Sequence, residues 1–466
     1  VTPLPDQATP APTPAPSPSD GWTGSFPARA VVDLEAVRDN VRALRDHAPT
    51  AALMAVVKAD AYGHGLVPSA WAALAGGATW LGVAQAAEAL ALRAAGIGPG
   101  DARILTWLQA PGVDFGALLA ADVDVSVAAP WALDGVAAAA RATGRPARVH
   151  LKIDTGLGRN GIMPADLPGA VARAAALQAE GVVRVVGVWT HLAYADEPGH
   201  PTIAAQRVVL DDAVRTVEAA GIEVEVRHAA NSAATLTAPA LHYDLVRPGL
   251  AVYGLSPVPQ VAPPSSFGLR PAMTLQARLA TVKDVPAGQG VSYAHLYTTA
   301  QATRLGVVPL GYADGIPRHA SGGSAGPGGP VYVGGPETAG LGSPADPDAD
   351  GGRVLRVAGR VCMDQVVLDL GPYAAERAGD VVTLFGSTDG LAHSAAVPSA
   401  QDWAAAAGTI SYEIVTRLGA RVPRVYVGHV PGVPGRTAAT VTGVPVAPPA
   451  APATADAGTA ESGSWT

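Results

Sequence analysis

Residues 55–65 read AVVKADAYGHG, an apolar β-branched run that stops on a lysine and then turns through two glycines. An amine in that place has two readings. It can mark where a buried strand meets water, or it can act as a nucleophile or base. Other groups able to do chemistry recur in similar places: Lys152 late in ARVHLKID, His191 near the end of VRVVGVWTHLA, Asn231 and Ser232 where VEVRHAAN gives way to a turn, and Arg247 and Gly249 in YDLVRPGL. The Asn-Ser and Pro-Gly turns are compatible with a phosphate, whose oxygens take backbone N–H groups. Taken singly, each polar residue is explained by strands ending in water. Taken together, they ask for a common rim.

The elements behind these residues supply one. Eight short apolar runs, from ALMAVVKAD (52–60) to YDLVRPGL (243–250), alternate with Ala-rich amphipathic stretches such as AAEALALRAAG (86–96) and AAQRVVLDDAVRTVEAAG (204–221). Strands alternating with helices imply parallel pairing through crossover helices. Eight such units predict an α/β fold, a (β/α)8 TIM-type barrel, whose functional groups sit at the C-terminal strand ends. From about Leu269 the pattern changes to runs joined by turns: LQARLATVKDV (275–285), TRLGVVPLG (303–311), RVLRVAGRVCMDQVVLDL (353–370) and GDVVTLFG (379–386). A helix signal returns only at QDWAAAAGTISYEIVTRLG (401–419). The expected organisation is a disordered Pro/Ala-rich tail over 1–24, the barrel over 25–267, a mainly β domain over 268–429, and a second disordered tail over 430–466. The Gly/Pro-rich stretch 321–352 reads as a flexible insertion in the β domain.

Composition narrows the function classes. Of 466 residues, 48% are hydrophobic and 15% charged, which suits a large core, and a net charge of −8 offers no basic surface for nucleic acid. The single cysteine, Cys362, allows neither an internal disulfide nor a thiolate metal cluster, and no metal is expected. No apolar run approaches the ~18–20 residues of a membrane span. The N-terminus lacks the basic and apolar regions of a signal peptide. These features lead to the expectation of a soluble, cytoplasmic protein that binds neither nucleic acid nor membrane.

AVVKADAYGHG resembles the cofactor-lysine motif of the alanine racemases, pyridoxal-phosphate enzymes of the barrel type. HLKIDTGLGRNGI (150–162), THLAYAD (190–196), HAANSAA (228–234), VRPGLAVYG (246–254), GVSYAHLYT (290–298), LGYADGIPR (310–318), GRVCMDQ (359–365) and TISYEIVTRLGARVPRVY (409–426) are similar to further blocks of that family, in family order. Together they span about Arg29 to Tyr426; the tails and the 321–352 stretch depart from the family pattern.

The resemblance implies an activity, a cofactor and roles. The activity would be interconversion of L- and D-alanine by two-base proton transfer, supplying D-alanine for peptidoglycan. Pyridoxal phosphate would act as electron sink while the protein orients it. Lys58 would hold the cofactor aldehyde covalently and act as one base; Tyr293, reaching in from the other subunit of a homodimer, would act on the opposite face. Tyr62, His191, Ser232, Arg247, Gly249, Leu250 and Tyr412 are implied as cofactor-binding. Arg159 and the Met363 backbone would meet the substrate carboxylate, and Lys152 matches a lysine that is carbamylated in many members. Tyr312 would narrow the entrance, with Asp364 in support beside Met363. Arg247 would face the pyridine nitrogen, where decarboxylases of the same fold place a carboxylate, and would disfavour its protonation. Other readings are a serine or broad-specificity racemase and a non-catalytic pyridoxal-phosphate carrier. Such carriers typically lack the β domain.

Overall fold

The structure is a computed structural model, describing Trp22 and residues 26–324, 326–334, 352–387 and 397–430. Its first strand is β1 (Ala28–Asp33). Each of the eight apolar runs then yields one strand of a single parallel sheet: β2 (Ala52–Val56), β3 (Trp80–Val83), β4 (Arg103–Thr106), β5 (Asp124–Val127), β6 (Ala147–Lys152), β7 (Val183–Trp189), β8 (Val226–His228) and β9 (Leu245–Val246). β9 pairs with β2, and the Asp244 and Arg247 N–H groups donate to the Arg227 and Ala230 carbonyls at 3.1 and 2.8 Å, drawing β9 onto β8. The sheet thereby curls into a nearly closed barrel ringed by helices, as the alternation of runs predicts.

The helices form for local reasons. In Leu34–His47, Asp33 accepts from the Ala36 N–H at 3.0 Å, satisfying one orphan donor of the first turn. Leu34, Val37, Val41 and Leu44 then line the buried face at helical spacing. The barrel lumen is less ordinary. Where such barrels usually stack branched aliphatics, Met54 and Trp80 pack with Leu105 in a small buried cluster, and His150 and His228, both 0% exposed, lie against Trp80 and Trp189.

The remaining strands are β10 (Met273–Arg278), β11 (Thr281–Val285), β12 (Gly290–Val291), β13 (Tyr297–Thr298), β14 (Thr303–Val308), β15 (Pro330–Val333), β16 (Arg353–Arg356), β17 (Val366–Gly371), β18 (Val381–Phe385) and β19 (Arg424–Val427). They form a six-stranded sheet ordered β16-β15-β18-β10-β1-β19, a three-stranded sheet β11-β14-β17, and the β12–β13 hairpin. β1 lies within the segment expected to form the barrel, yet it pairs antiparallel with β10 and parallel with β19. The chain starts in the β domain, winds through the barrel and returns.

Several expected runs are broken in the structure. The 275–285 run switches sheets at Leu279 and Ala280, whose N–H groups donate to Asp380 and Val307. The 353–370 run splits around the GRVCMDQ turn. The 401–419 helix becomes Ala400–Ala407 and Ser411–Thr416, separated at Gly408, whose φ of 65° is left-handed. In YDLVRPGL only Leu245–Val246 is strand, because Pro248 cannot donate to a ladder. The stretch expected to be a flexible insertion makes close contacts at three of its described glycines. Gly322 and Gly328 pack against the Val357 carbonyl and Gly329 against the Trp403 ring, so closely that a Cβ would overlap them. Glycine there provides room for close approach. Trp22, expected in the disordered tail, has the guanidiniums of Arg29 and Arg278 over its ring at 4.6 and 4.7 Å. The rest of 335–351 and both tails lies outside the described residues.

Candidate active site

β2 hands the chain to the turn Lys58–Tyr62, in which Ala59, Asp60, Ala61 and Tyr62 all have φ of 53–54°. A left-handed turn costs roughly 1–2 kcal/mol for each L-residue, so surrounding contacts must impose it. Glu88 accepts from the Ala59 N–H at 2.6 Å and the Asp60 carboxylate from the Leu66 N–H at 2.7 Å. Arg424 of β19 donates to the Gly63 carbonyl at 3.0 Å, so the β domain also grips the turn. The half-buried Lys58 amine lies 6.0 Å from the ring centres of both Tyr62 and Trp107.

The barrel rim brings most of the sequence-predicted groups together. Ser232 Oγ accepts from the Gly249 and Ala251 N–H groups at 2.8 and 3.3 Å, tying the turn after β8 to the turn after β9 around Leu250. The Tyr62 hydroxyl stands against Gly249, where a Cβ would overlap it, and the Tyr412 ring lies 6.1 Å from the Tyr62 ring. Arg247 is only 5% exposed. Its guanidinium meets His228 Nδ1 at 3.1 Å and donates to the Thr190 and Ala229 carbonyls at 2.8 and 3.2 Å. Lys152 and Arg247 lie over Trp189 at 4.7 and 4.8 Å from its centre. Asp154 accepts from the Gly156 and Gly158 N–H groups at 3.0 and 3.1 Å, shaping the loop that carries the exposed Arg159.

Burial and mutual repulsion set the electrostatics. Burial, and then Arg159, lowers the Lys58 amine from its ordinary value. Burial, with Arg159 and Arg247 adding to it, pushes Lys152 down to about 8. Burial brings Arg247 to about 9, still charged at neutral pH. His191 is held well below its usual value by burial and by the cations Arg247, Arg159, Lys152 and Lys58, which keeps it neutral. Burial pushes the Tyr412 hydroxyl up to about 12. The acids nearest these cations are already engaged: Asp154 by loop N–H groups, Glu88 by the N–H groups of Ala59, Ala84 and Gln85. The rim therefore favours an anionic ligand.

The other expected site residues belong to the β domain. Tyr293, Met363 and Tyr312 are 70%, 53% and 41% exposed. They are close-knit through backbone: Ser292 Oγ donates to the Arg360 carbonyl at 2.8 Å, and the Tyr312 and Ala313 N–H groups donate to the Cys362 and Met363 carbonyls at 3.0 and 2.9 Å. Arg421 bridges Asp364 and Asp314. Ser292, Ala294 and His295 have φ of 62°, 59° and 45°, so strained backbone flanks Tyr293 as it follows Lys58. Sequence reasoning missed Glu88 and gave no role to His150 or His228, although both stand in the quoted blocks HLKIDTG and HAANSAA.

A barrel whose rim gathers an amine, an anion cradle and buried cations, joined to a β domain that displays an exposed tyrosine, defines an enzyme class built around an anionic cofactor. The alanine racemase N-terminal domain model matches residues 32–257 and the C-terminal domain model residues 272–426. The chain is 57% identical over 398 residues to the alanine racemase of Frankia casuarinae, covering 85% of this chain and 96% of that protein. The crystal structure of alanine racemase from a D-cycloserine-producing Streptomyces lavendulae is similar with a TM-score of 0.80 at 54% identity, over 87% of this chain and 98% of that one. That from Bacillus anthracis with bound L-Ala-P has a TM-score of 0.75 at 32% identity, over 87% and 96%. The chain belongs to the alanine racemase family. Pyridoxal phosphate is the cofactor of that family, and an anionic group fits a rim whose cations exceed its free acids.

Proposed function

We propose that this protein racemises alanine with pyridoxal phosphate, acting as a cytoplasmic homodimer and supplying D-alanine for peptidoglycan. The observation that carries the reading is Arg247, a buried cation paired with neutral groups at the base of the rim. Arg247 would meet the pyridine nitrogen of the bound cofactor and disfavour its protonation, which suits rapid return of the α-proton over side reactions. When bound, the cofactor withdraws electrons from the substrate α-carbon.

Every other role falls to this chain. Lys58 anchors the cofactor and exchanges the α-proton of the D-enantiomer. Tyr293 does so on the opposite face for the L-enantiomer, from the neighbouring subunit. Its 70% exposure in the single chain supports that assignment. Ser232, Gly249, Leu250, Tyr62 and Tyr412 would hold the phosphate, and His191 would bind the cofactor as well. Arg159 and the Met363 backbone orient the substrate carboxylate, Lys152 steadies Arg159, and Tyr312 and Asp364 frame the entrance.

The test is incubation of the protein with L-alanine, and separately L-serine, in heavy water. Optical inversion with α-deuterium uptake is expected for alanine, with serine turning over far more slowly. Absence of exchange with any amino acid would overturn the racemase reading. Equal rates would favour the broad-specificity alternative.

A further inference from the structure

Arg247 begins a line of buried groups that crosses the barrel. Its Nη1 is 3.1 Å from His228 Nδ1; His228 Nε2 is 3.0 Å from His150 Nδ1; His150 Nε2 is 3.3 Å from Asp124 Oδ2. Asp124, His150 and His228 are all 0% exposed. A guanidinium only donates and a carboxylate only accepts, so the two ends fix the direction of the whole chain. His228 must present a bare Nδ1 to Arg247 and carry its proton on Nε2. His150 must do the same one step further on. The opposite tautomer at either ring would set one N–H against another.

The surroundings are built for this arrangement. Gly187 of β7 stands beside His150 Nδ1, where a Cβ would overlap the ring, and the β6–β7 register shifts between Val149 and His150. Trp189 stacks on His228 at 5.4 Å and 6°, and Trp80 meets His150 edge-on at 5.6 Å. Despite its burial, Asp124 is held below the usual carboxylate value by His150 and by two guanidiniums outside the line: Arg148 Nε donates to Oδ1 at 2.6 Å and Arg103 Nη2 to Oδ2 at 2.5 Å. Burying such a network is weak evidence for stability, since apolar residues of like volume often do as well. Its single-direction geometry points to the group at its open end.

We propose that Asp124, on the opposite side of the barrel from the reacting atoms, is a positioning residue for racemisation: through His150 it fixes the His228 tautomer that holds the Arg247 guanidinium in one orientation. This rests on the reading of Arg247 as the contact to the cofactor ring nitrogen. When the line is broken, His228 can turn Nδ1–H toward Arg247 and push the guanidinium away.

The experiment uses the full-length protein labelled with 15N-histidine, with and without pyridoxal phosphate. Imidazole nitrogen shifts in the unmodified protein are expected to show both rings protonated at Nε2 alone. In D124N the His228 signal is expected to become a tautomer mixture, and kcat to fall at least about tenfold, the worth of one hydrogen bond to a charged group, with KM for alanine little changed. G187A, which displaces His150 without altering a charge, is expected to do the same and serves where D124N fails to fold. A fixed His228 tautomer with unchanged kcat in a folded variant would overturn the proposal. A merely structural network would lower the melting temperature and leave both readouts in place. The tautomer in the cofactor-free protein is read without any turnover, so an inactive enzyme would count against the racemase reading and not against the relay.

Discussion

Lys152 shows at the scale of one residue how the rim carries a cost that the bound state relieves. Burial and the neighbouring guanidiniums take its amine from 10.5 to about 8. Between those values the unfolded chain binds the proton and the folded chain does not. Stability of the cofactor-free protein should therefore rise as pH increases through that window, with the penalty fully expressed below about 8. Denaturant melts at a series of alkaline pH values should show the slope, and K152M should flatten it. A depressed amine is also a nucleophile near neutrality. Loss of the ammonium proton frees the amine, whose attack on dissolved carbon dioxide forms an N–C bond, moves one C=O pair onto oxygen and releases a second proton, turning the cation into an anion able to hold Arg159. Carbon NMR with 13C-bicarbonate should show a carbamate signal that K152M lacks, and its absence at neutral pH would remove that assignment.

Elements decide whether such residues reach their places, and Gly65 is where two of them meet. It closes the left-handed turn with φ of 95°, and a Cβ there would overlap the Tyr426 hydroxyl of β19. G65A should cost roughly 1–2 kcal/mol from backbone strain alone. It should weaken cofactor binding as well, because the displaced turn carries Lys58 and Tyr62. Melting temperature and cofactor titration measure both, and adding Y426F should recover part of the loss by removing the clashing oxygen. The sequence carries the two glycines but not this reason for them. The barrel strands were legible because parallel strands buried on both faces read as continuous apolar runs. β1 was not, because ARAVVD has no local mark of pairing with residues of β10 and β19 far along the chain. SGGSAGPGGP read as loose because glycine signals both freedom and close packing, and only the Val357 carbonyl and Trp403 ring tell them apart. The site residues came from motif resemblance. His150 and His228 stayed without a role because a buried histidine acquires one only from its neighbours.

At the scale of the molecule, the two proposed bases belong to different surfaces of one chain. Lys58 sits on the barrel rim, whereas Tyr293 projects from the β domain together with Tyr312 and Met363, an exposed cluster of large apolar side chains. Such a patch marks an interaction surface, and in a two-fold dimer each patch would serve the other subunit's rim. K58A and Y293F homodimers should each be impaired, the first nearly inactive in both directions. When the two are mixed under conditions that allow subunit exchange, half the resulting dimers pair one of each kind. In such a dimer one site combines intact Lys58 with intact Tyr293, and the other has lost both. Activity should therefore recover toward roughly a quarter of the sites of the unmodified enzyme. If both bases came from the same chain, exchange would create no intact site and activity would stay at the average of the parents. Tagging the two variants differently and purifying the mixed dimer makes the comparison direct, and an inactive mixed dimer would place Tyr293 outside the neighbouring subunit's chemistry.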